Sequence, residues 1–211
     1  MTSAGGIQTL HRAALRLQAR GKRRFGGAKR LPALIFMTDP VRTTDPEAVA
    51  ERLPRGSAIV FRAFGASDAV RQGRALARIA RRRGLLLLAG ADPALARAIG
   101  AQGVHLPERR SCVAGALKRG RPGWLVTAAA HGEAAARRAL AAGADAVLVS
   151  PVFESRSPSA GRPLGPVRFA ALVGRAGGPV YALGGVKATT AARLIGTGAA
   201  GLAAVEALLK P

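Results

Sequence analysis

The stretch Ala142-Gly143-Ala144-Asp145-Ala146-Val147 decides the fold, because it ends a helical pattern with a glycine and enters an apolar strand after a few small residues. The same arrangement recurs at Ile99-Gly100-Ala101-Gln102-Gly103-Val104 and at Thr197-Gly198-Ala199-Ala200-Gly201-Leu202. A glycine at a helix C-terminus just before a strand suits a short helix-to-strand connection. The three phrases therefore indicate an internal repeat of strand and helix units.

On both sides of this stretch the chain alternates short apolar runs with longer helical patterns. The predicted strands are residues 33–38, 57–62, 85–89, 103–106, 124–128, 146–150, 179–183 and 201–204. The predicted helices are residues 46–53, 69–83, 93–100, 112–118, 133–142, 167–173, 189–197 and 205–209. Strands that are apolar on both faces and each followed by a helix are typical of a parallel sheet. Eight such units in 211 residues predict a single (β/α)8 TIM barrel rather than an open doubly wound sheet.

Composition narrows the class of protein. Hydrophobic residues make up 49% of the chain, which is enough for a sizeable core. No apolar run reaches the roughly 18 residues of a membrane span, so we expect no membrane association. The single cysteine, Cys112, excludes an internal disulfide, and no signal-like segment opens the sequence. We therefore expect a cytoplasmic protein.

The charge is strongly positive and uneven. The net charge is +22, and 28 of the 33 cationic residues are arginine. Such a balance suggests an anionic partner, but a GC-rich coding bias produces it equally well. Aromatic residues make up only 4%, which argues against a stacking surface for nucleic acid. Residues 1–31 are basic and contain no acid, so we interpret them as a mobile extension with a short helix over residues 7–19, followed by the barrel at residues 32–211.

Candidate binding residues lie where strands end, because ligands of TIM barrels bind at the C-terminal ends of the strands. Gly184-Gly185 follows the seventh strand, and Ala204-Val205 ends the eighth. Their backbone N–H groups predict a phosphate site of the kind common at this place in the fold. Glu206 argues against this interpretation, since its carboxylate would repel an anion.

His131 is the candidate acid–base group, because it follows the fifth strand and an imidazole titrates near neutrality. His105 lies inside a strand and is interpreted as a core or wall residue whose hydrogen bonds are satisfied. Asp39, Asp92 and Glu108 are isolated carboxylates in the sequence. We therefore predict no metal site.

Five phrases between about Ala33 and Leu208 together indicate a family. They are Gly100-Ala101-Gln102-Gly103-Val104-His105-Leu106, Gly143-Ala144-Asp145 leading into Ser150-Pro151-Val152-Phe153, Ala160-Gly161-Arg162-Pro163-Leu164-Gly165, Ala182-Leu183-Gly184-Gly185-Val186, and the segment 198–205. In this order they resemble the thiamine-phosphate synthase/TenI family of small TIM barrels. The resemblance implies a role in thiamine biosynthesis.

The resemblance implies two reactions. The synthases, which are transferases, join a hydroxymethylpyrimidine pyrophosphate to a thiazole phosphate, with magnesium on the pyrophosphate. The TenI branch isomerises a thiazole phosphate carboxylate without metal, and His131 matches its acid–base histidine. This sequence departs from the family pattern at the residues that the synthase reaction uses. Of the family's Q-x-R-x-K pattern at strand 2 only Arg62 remains, and Gly90-Ala91 stands where an Asn-Asp pair ends strand 3. Arg109-Arg110 stands near the place where a second metal-binding Asp is expected.

From the resemblance we expect a metal-independent tautomerase with His131 as its catalytic residue. A divergent synthase using magnesium, and a non-catalytic thiazole- or phosphate-binding barrel, remain open. The expected ligand is a small phosphorylated heterocycle, and no cofactor is expected outside the synthase alternative. The sequence leaves the oligomeric state open, a homodimer included. The expected binding residues are Arg62, Ser155, Ser157, Arg162, Gly184, Gly185, Ala204 and Val205.

Overall fold

The computed structural model describes residues 4–21, 31–155 and 161–209, and over these residues it confirms the TIM barrel. Each strand pairs in parallel with the next, and the last strand pairs with the first, so the sheet closes. The strands are β1 (Leu34–Met37), β2 (Ala58–Phe61), β3 (Leu86–Gly90), β4 (Gly103–Leu106), β5 (Leu125–Ala130), β6 (Ala146–Val149), β7 (Val180–Ala182) and β8 (Gly201–Ala204).

Helices cover the outside of the barrel. They are α1 (Ala4–Gly21), α2 (Pro46–Arg52), α3 (Ala69–Arg83), α4 (Pro93–Ile99), α5 (Ala114–Gly120), α6 (Glu133–Ala141), α7 (Gly165–Arg175) and α8 (Ala188–Ala191). Three short 3-10 turns, Glu108–Val113, Ala192–Leu194 and Glu206–Leu208, take up parts of segments predicted as regular helix. The described residues include no helix that is long and apolar enough to cross a membrane.

The repeated phrase has a structural reason. Gly100 ends α4 in the left-handed conformation with φ 69°, and Gly143 follows α6 with φ 100°. The polar residue two positions later then joins neighbouring strands, because Gln102 accepts a hydrogen bond from the Leu87 N–H and Asp145 accepts one from the Val126 N–H. In these two phrases the glycine therefore follows the helix and the polar residue secures the start of the next strand, whereas the third phrase has Ala200 in the polar position.

Helix α1 differs from the mobile extension expected from the sequence. Its apolar stripe is buried, with Leu10 and Leu17 fully inaccessible, while Arg12 and Arg16 stay exposed. It packs against α8, β8 and β1, next to the Glu206–Leu208 turn. Among the described residues, β8 is followed by this short turn, and α1 covers the outside of the barrel beside it. Residues 22–30 of the expected extension lie outside the described residues.

We expect Leu10→Ala to lower the free energy of unfolding by about 3 kcal/mol, because it removes a fully buried side chain and leaves a cavity. Leu15→Ala is the matched control on the same helix, where the side chain is 45% exposed, and it should change stability by no more than about 0.5 kcal/mol. Urea unfolding of both variants checks the prediction. Equal, small losses would show that α1 does not pack on the barrel.

Candidate active site

The C-terminal ends of the strands surround a cavity of about 920 Å³. Most of the residues expected to form the site line it: His131, Arg62, Ser155, Gly184, Gly185, Ala204 and Val205. Arg162 is exposed in the segment that joins β6 to α7, called the β6 loop, and is not among the lining residues. Ser157 lies outside the described residues. The glycine pair after β7 and the segment Ala204-Val205 at the end of β8 therefore line the same cavity as the candidate histidine.

His105 forms part of the cavity wall as a buried, neutral imidazole. Its Nδ1 lies 3.0 Å from Thr127 Oγ1 on the neighbouring strand, and the side chain lines the cavity. Burial, reinforced by the nearby positive charge of Arg62, lowers the pKa of His105 to about 4. A wall residue was expected here, but its exposure to the cavity was not.

This pKa has a consequence for stability. The unfolded chain binds a proton at His105 below pH 6.5, whereas the folded chain binds it only near pH 4. The stability that the lowered pKa of His105 contributes is therefore fully present above pH 6.5. It is lost as the pH falls from 6.5 to 4, by about 3 kcal/mol in total. We expect wild type to lose that much more stability than His105→Gln between pH 7 and pH 4 in urea unfolding. Parallel pH profiles of the two proteins would contradict a neutral His105.

Four charged side chains form a chain of ion pairs along one side of the mouth. Arg42 lies 3.2 Å from Glu206 and 2.7 Å from Asp39, and Asp39 lies 3.2 Å from Arg62. The hydrogen bond from Arg42, with the charges of both arginines, lowers the pKa of Asp39 to about 2. Asp39 is therefore not isolated, and Arg42 offsets the carboxylate of Glu206 beside the expected phosphate site.

Arg62 is held in place by this chain and by the backbone. Its Nε donates a hydrogen bond to the Thr38 carbonyl, and its side chain crosses Gly90. A Cβ at Gly90 would lie 2.9 Å from Arg62 Cγ and 3.2 Å from the Phe61 carbonyl oxygen. Gly90 thus leaves the space that the arginine occupies at the cavity, where a guanidinium can bind an anion.

The glycine pair after β7 is required by the backbone that packs on it. Gly184 and Gly185 have φ angles of +85° and +63°. The Val152 and Phe153 N–H groups donate to the Leu183 and Gly184 carbonyls, so the β6 loop lies directly on the pair. Among the described residues, nothing accepts a hydrogen bond from the backbone N–H groups of residues 184–186. These donors are available to an anionic ligand.

His131 and Glu108 form a pair on the opposite side of the mouth. Glu108 Oε2 lies 2.8 Å from His131 Nδ1 and also accepts a hydrogen bond from the His131 N–H at 2.9 Å. Partial burial acts to raise the pKa of Glu108, but the hydrogen bonds from His131 outweigh it, and the pKa is lowered. The carboxylate thus fixes the orientation of the ring, and a general acid–base group needs a fixed orientation.

A magnesium site built from carboxylates does not fit these residues. The described part of the chain holds no group of three His, Cys, Asp or Glu side chains that could bind a metal ion. Asp92 is engaged as the N-cap of α4, where it accepts the Ala94 and Leu95 N–H groups. Arg109 lines the cavity close to where the family resemblance places a metal-binding aspartate, and a guanidinium repels a cation.

Comparison with known proteins settles the family. The sequence profile of the Thiamine monophosphate synthase family matches residues 34–208. The chain belongs to this family. It is 33% identical over 190 residues to the Thiamine-phosphate synthase of Alcanivorax borkumensis, which covers 85% of this chain and 86% of that protein. The solved Thiamine phosphate pyrophosphorylase from Pyrococcus furiosus superposes with a TM-score of 0.71 at 25% identity, covering 83% of this chain and 86% of that one.

The match to other family members is partial. The chain covers 64% of the length of a relative from Geobacter sulfurreducens, to which it is 36% identical over 137 residues. It covers 27% of the bifunctional ThiM/ThiE protein of Symbiobacterium thermophilum, at 38% identity over 130 residues. The names of the relatives that match over most of their length favour the synthase alternative over the tautomerase expected from the sequence.

Arg42, Arg109 and Phe64 line the cavity and were not singled out as site residues from the sequence. Arg42 and Arg109 carried a weak signal, because each follows the end of a strand in a predicted TIM barrel. Phe64 carried a signal only as a departure from the family pattern after strand 2.

Proposed function

We propose that this barrel joins a pyrimidine pyrophosphate to a thiazole phosphate, the type of reaction after which its relatives are named. One observation carries the proposal: anion-binding groups lie at two separate places in one cavity. Gly184 and Gly185, whose N–H groups have no acceptor among the described residues, line it at the end of β7, while Arg62 and Arg109 line it after β2 and β4. Two phosphorylated substrates use two such places. A thiazole phosphate carboxylate also carries two anionic groups, and the names of the relatives favour ring joining over its isomerisation.

The residues divide the work as follows in this proposal. Gly184, Gly185 and Val205 bind the phosphate of the thiazole through the backbone. Arg62, held by Thr38 and Asp39, and Arg109 bind the pyrophosphate and stabilise the charge that grows on it as it leaves. Lys187, which also lines the cavity, adds a further cation. The family resemblance implies magnesium on the pyrophosphate, but the carboxylates here do not form a magnesium site. In this proposal the arginines supply the positive charge that faces the pyrophosphate.

Tautomerisation of a thiazole phosphate carboxylate is the second candidate, and the His131–Glu108 pair favours it. An acid–base group that removes a proton and returns it at another carbon is what a 1,3-proton shift requires. His131 lines the same cavity as the glycine pair, so a ligand held by its phosphate reaches the imidazole. Ring joining needs no such group at this position.

The test supplies the purified chain with both substrates of ring joining and measures thiamine phosphate, with and without a magnesium chelator. We expect product formation that survives the chelator. Isomerisation of a thiazole phosphate carboxylate without ring joining would replace the proposal with the second candidate. Ligand binding without turnover of either kind would leave only a thiazole- or phosphate-binding barrel. Product formation abolished by the chelator would contradict the assignment of Arg62 and Arg109.

A further inference from the structure

Phe64 exposes its ring at the rim of the cavity. It lies in the loop between β2 and α3, is 70% exposed and lines the cavity together with the small residues 65–67. A phenylalanine side chain gains stability by burial, and this one gains little from the fold. The ring therefore has no packing role that would explain it.

The backbone at Phe64 also disfavours a bulky residue. Its φ angle is +47°, in the left-handed region that glycine and asparagine adopt most readily and bulky residues rarely do. Gly65 follows with φ +82°, so the turn continues in that region. Strained positions of this kind persist where a side chain is needed at a particular place.

The ring stands beside the candidate anion-binding arginine. The Arg62 guanidinium carbon lies 5.4 Å from the centroid of the Phe64 ring, within the range of a cation–π contact. Arg62 is itself held by the Thr38 carbonyl and Asp39, so the arginine that Phe64 contacts has a defined position. A ligand whose anion binds Arg62 would bring its adjoining group onto or next to this ring.

We propose that Phe64 is a stacking surface for the planar heterocycle that carries the pyrophosphate. The inference rests on the proposed function and adds a specificity-determining residue to it. Planar aromatic rings stack on one another in offset or edge-to-face arrangements, so an exposed ring at the rim selects a flat heterocycle over a saturated group of the same charge. The pairing of an aromatic face with an arginine provides one contact for the ring and one for the anion.

The test compares Phe64→Ala, Phe64→Leu and Phe64→Tyr by calorimetric titration with thiamine phosphate and, separately, with inorganic pyrophosphate. We expect Phe64→Ala to weaken thiamine phosphate binding by about tenfold, as for the loss of a ring stack. Phe64→Tyr should bind as wild type does, and Phe64→Leu should be weakened because an aliphatic side chain does not stack. Inorganic pyrophosphate has no ring, so its affinity should be the same for all four proteins.

Stability separates this role from a structural one. Because the ring is exposed, Phe64→Ala should leave the free energy of unfolding unchanged, and Phe64→Gly, which relieves the backbone, should raise it while still losing thiamine phosphate affinity. Equal thiamine phosphate affinity of wild type and Phe64→Ala overturns the inference alone. The inference is also overturned if Phe64→Ala loses self-association in sedimentation while its thiamine phosphate affinity stays intact. The ring would then be a contact between copies of the chain. No thiamine phosphate binding by wild type contradicts the proposed function and this inference together.

Discussion

Gly185→Ala is expected to lower turnover by about 10²- to 10³-fold, the loss that follows from displacing one preorganised donor in an active site. A Cβ at Gly185 would lie 2.3 Å from the Glu154 carbonyl oxygen and 2.7 Å from Phe153 Cβ. The first is a backbone atom and the second is the side-chain atom bonded directly to the backbone. Both therefore move only if the whole β6 loop moves. The φ angle of +63° adds strain for any residue with a side chain.

The measurement is turnover in whichever of the two reactions the wild type performs, together with calorimetric titration by thiamine phosphate. Gly161→Ala is the matched control, because a Cβ there meets nothing within 4 Å and the residue lies in the same loop. The barrel itself should stay folded, since the collision is confined to residues 153–154 and the loop. Wild-type affinity and turnover in Gly185→Ala would show that the phosphate does not bind at the glycine pair.

The barrel could be predicted from the sequence because its signals are local. Gly100 and Gly143 end helices within their own phrases, and each strand is a continuous apolar run. These features depend on residues within one strand–helix unit, and they can be recognised without knowing which strand that unit pairs with. The boundaries of the regular elements were less exact where 3-10 turns, such as Glu108–Val113, replaced a predicted helix or connection.

The helix predicted over residues 7–19 is present within α1, but its packing on the barrel was missed because charge outweighed periodicity. Leu10, Ala14 and Leu17 form an apolar stripe, and the cations near them occupy the exposed face. A helix with that pattern needs an apolar surface to cover. That surface is formed by α8, β8 and β1, which are far from α1 in sequence, so a local pattern does not reveal it.

The charged pairs of the site depend on barrel closure, which is why their partners were missed. Arg42 and Glu206 are 164 positions apart in sequence and meet because β8 pairs with β1. Glu108 and His131 are 23 positions apart and meet because β4 pairs with β5. A sequence shows each carboxylate alone, so Asp39 and Glu108 looked isolated.

His131→Asn decides between the two candidate reactions. We expect it to lower tautomerisation of a thiazole phosphate carboxylate by roughly 10²- to 10⁴-fold, the range for removing a general acid–base group. It should leave ring joining unchanged, because the proposed roles there belong to Arg62, Arg109 and the glycine amides. The side chain is 53% exposed, so stability should not change. Both reactions are assayed on the same preparation, and His11→Asn on α1 is the matched control.

Glu108→Gln refines the same experiment. A neutral amide still accepts a hydrogen bond from the imidazole and keeps the ring in place, so tautomerisation should fall less than in His131→Asn. If ring joining falls in His131→Asn while thiamine phosphate still binds, His131 acts in the synthase reaction, and the division of roles between the two sides of the mouth is wrong. If tautomerisation is measurable and does not change, the imidazole takes no part in proton transfer and the pair with Glu108 only orders the loop.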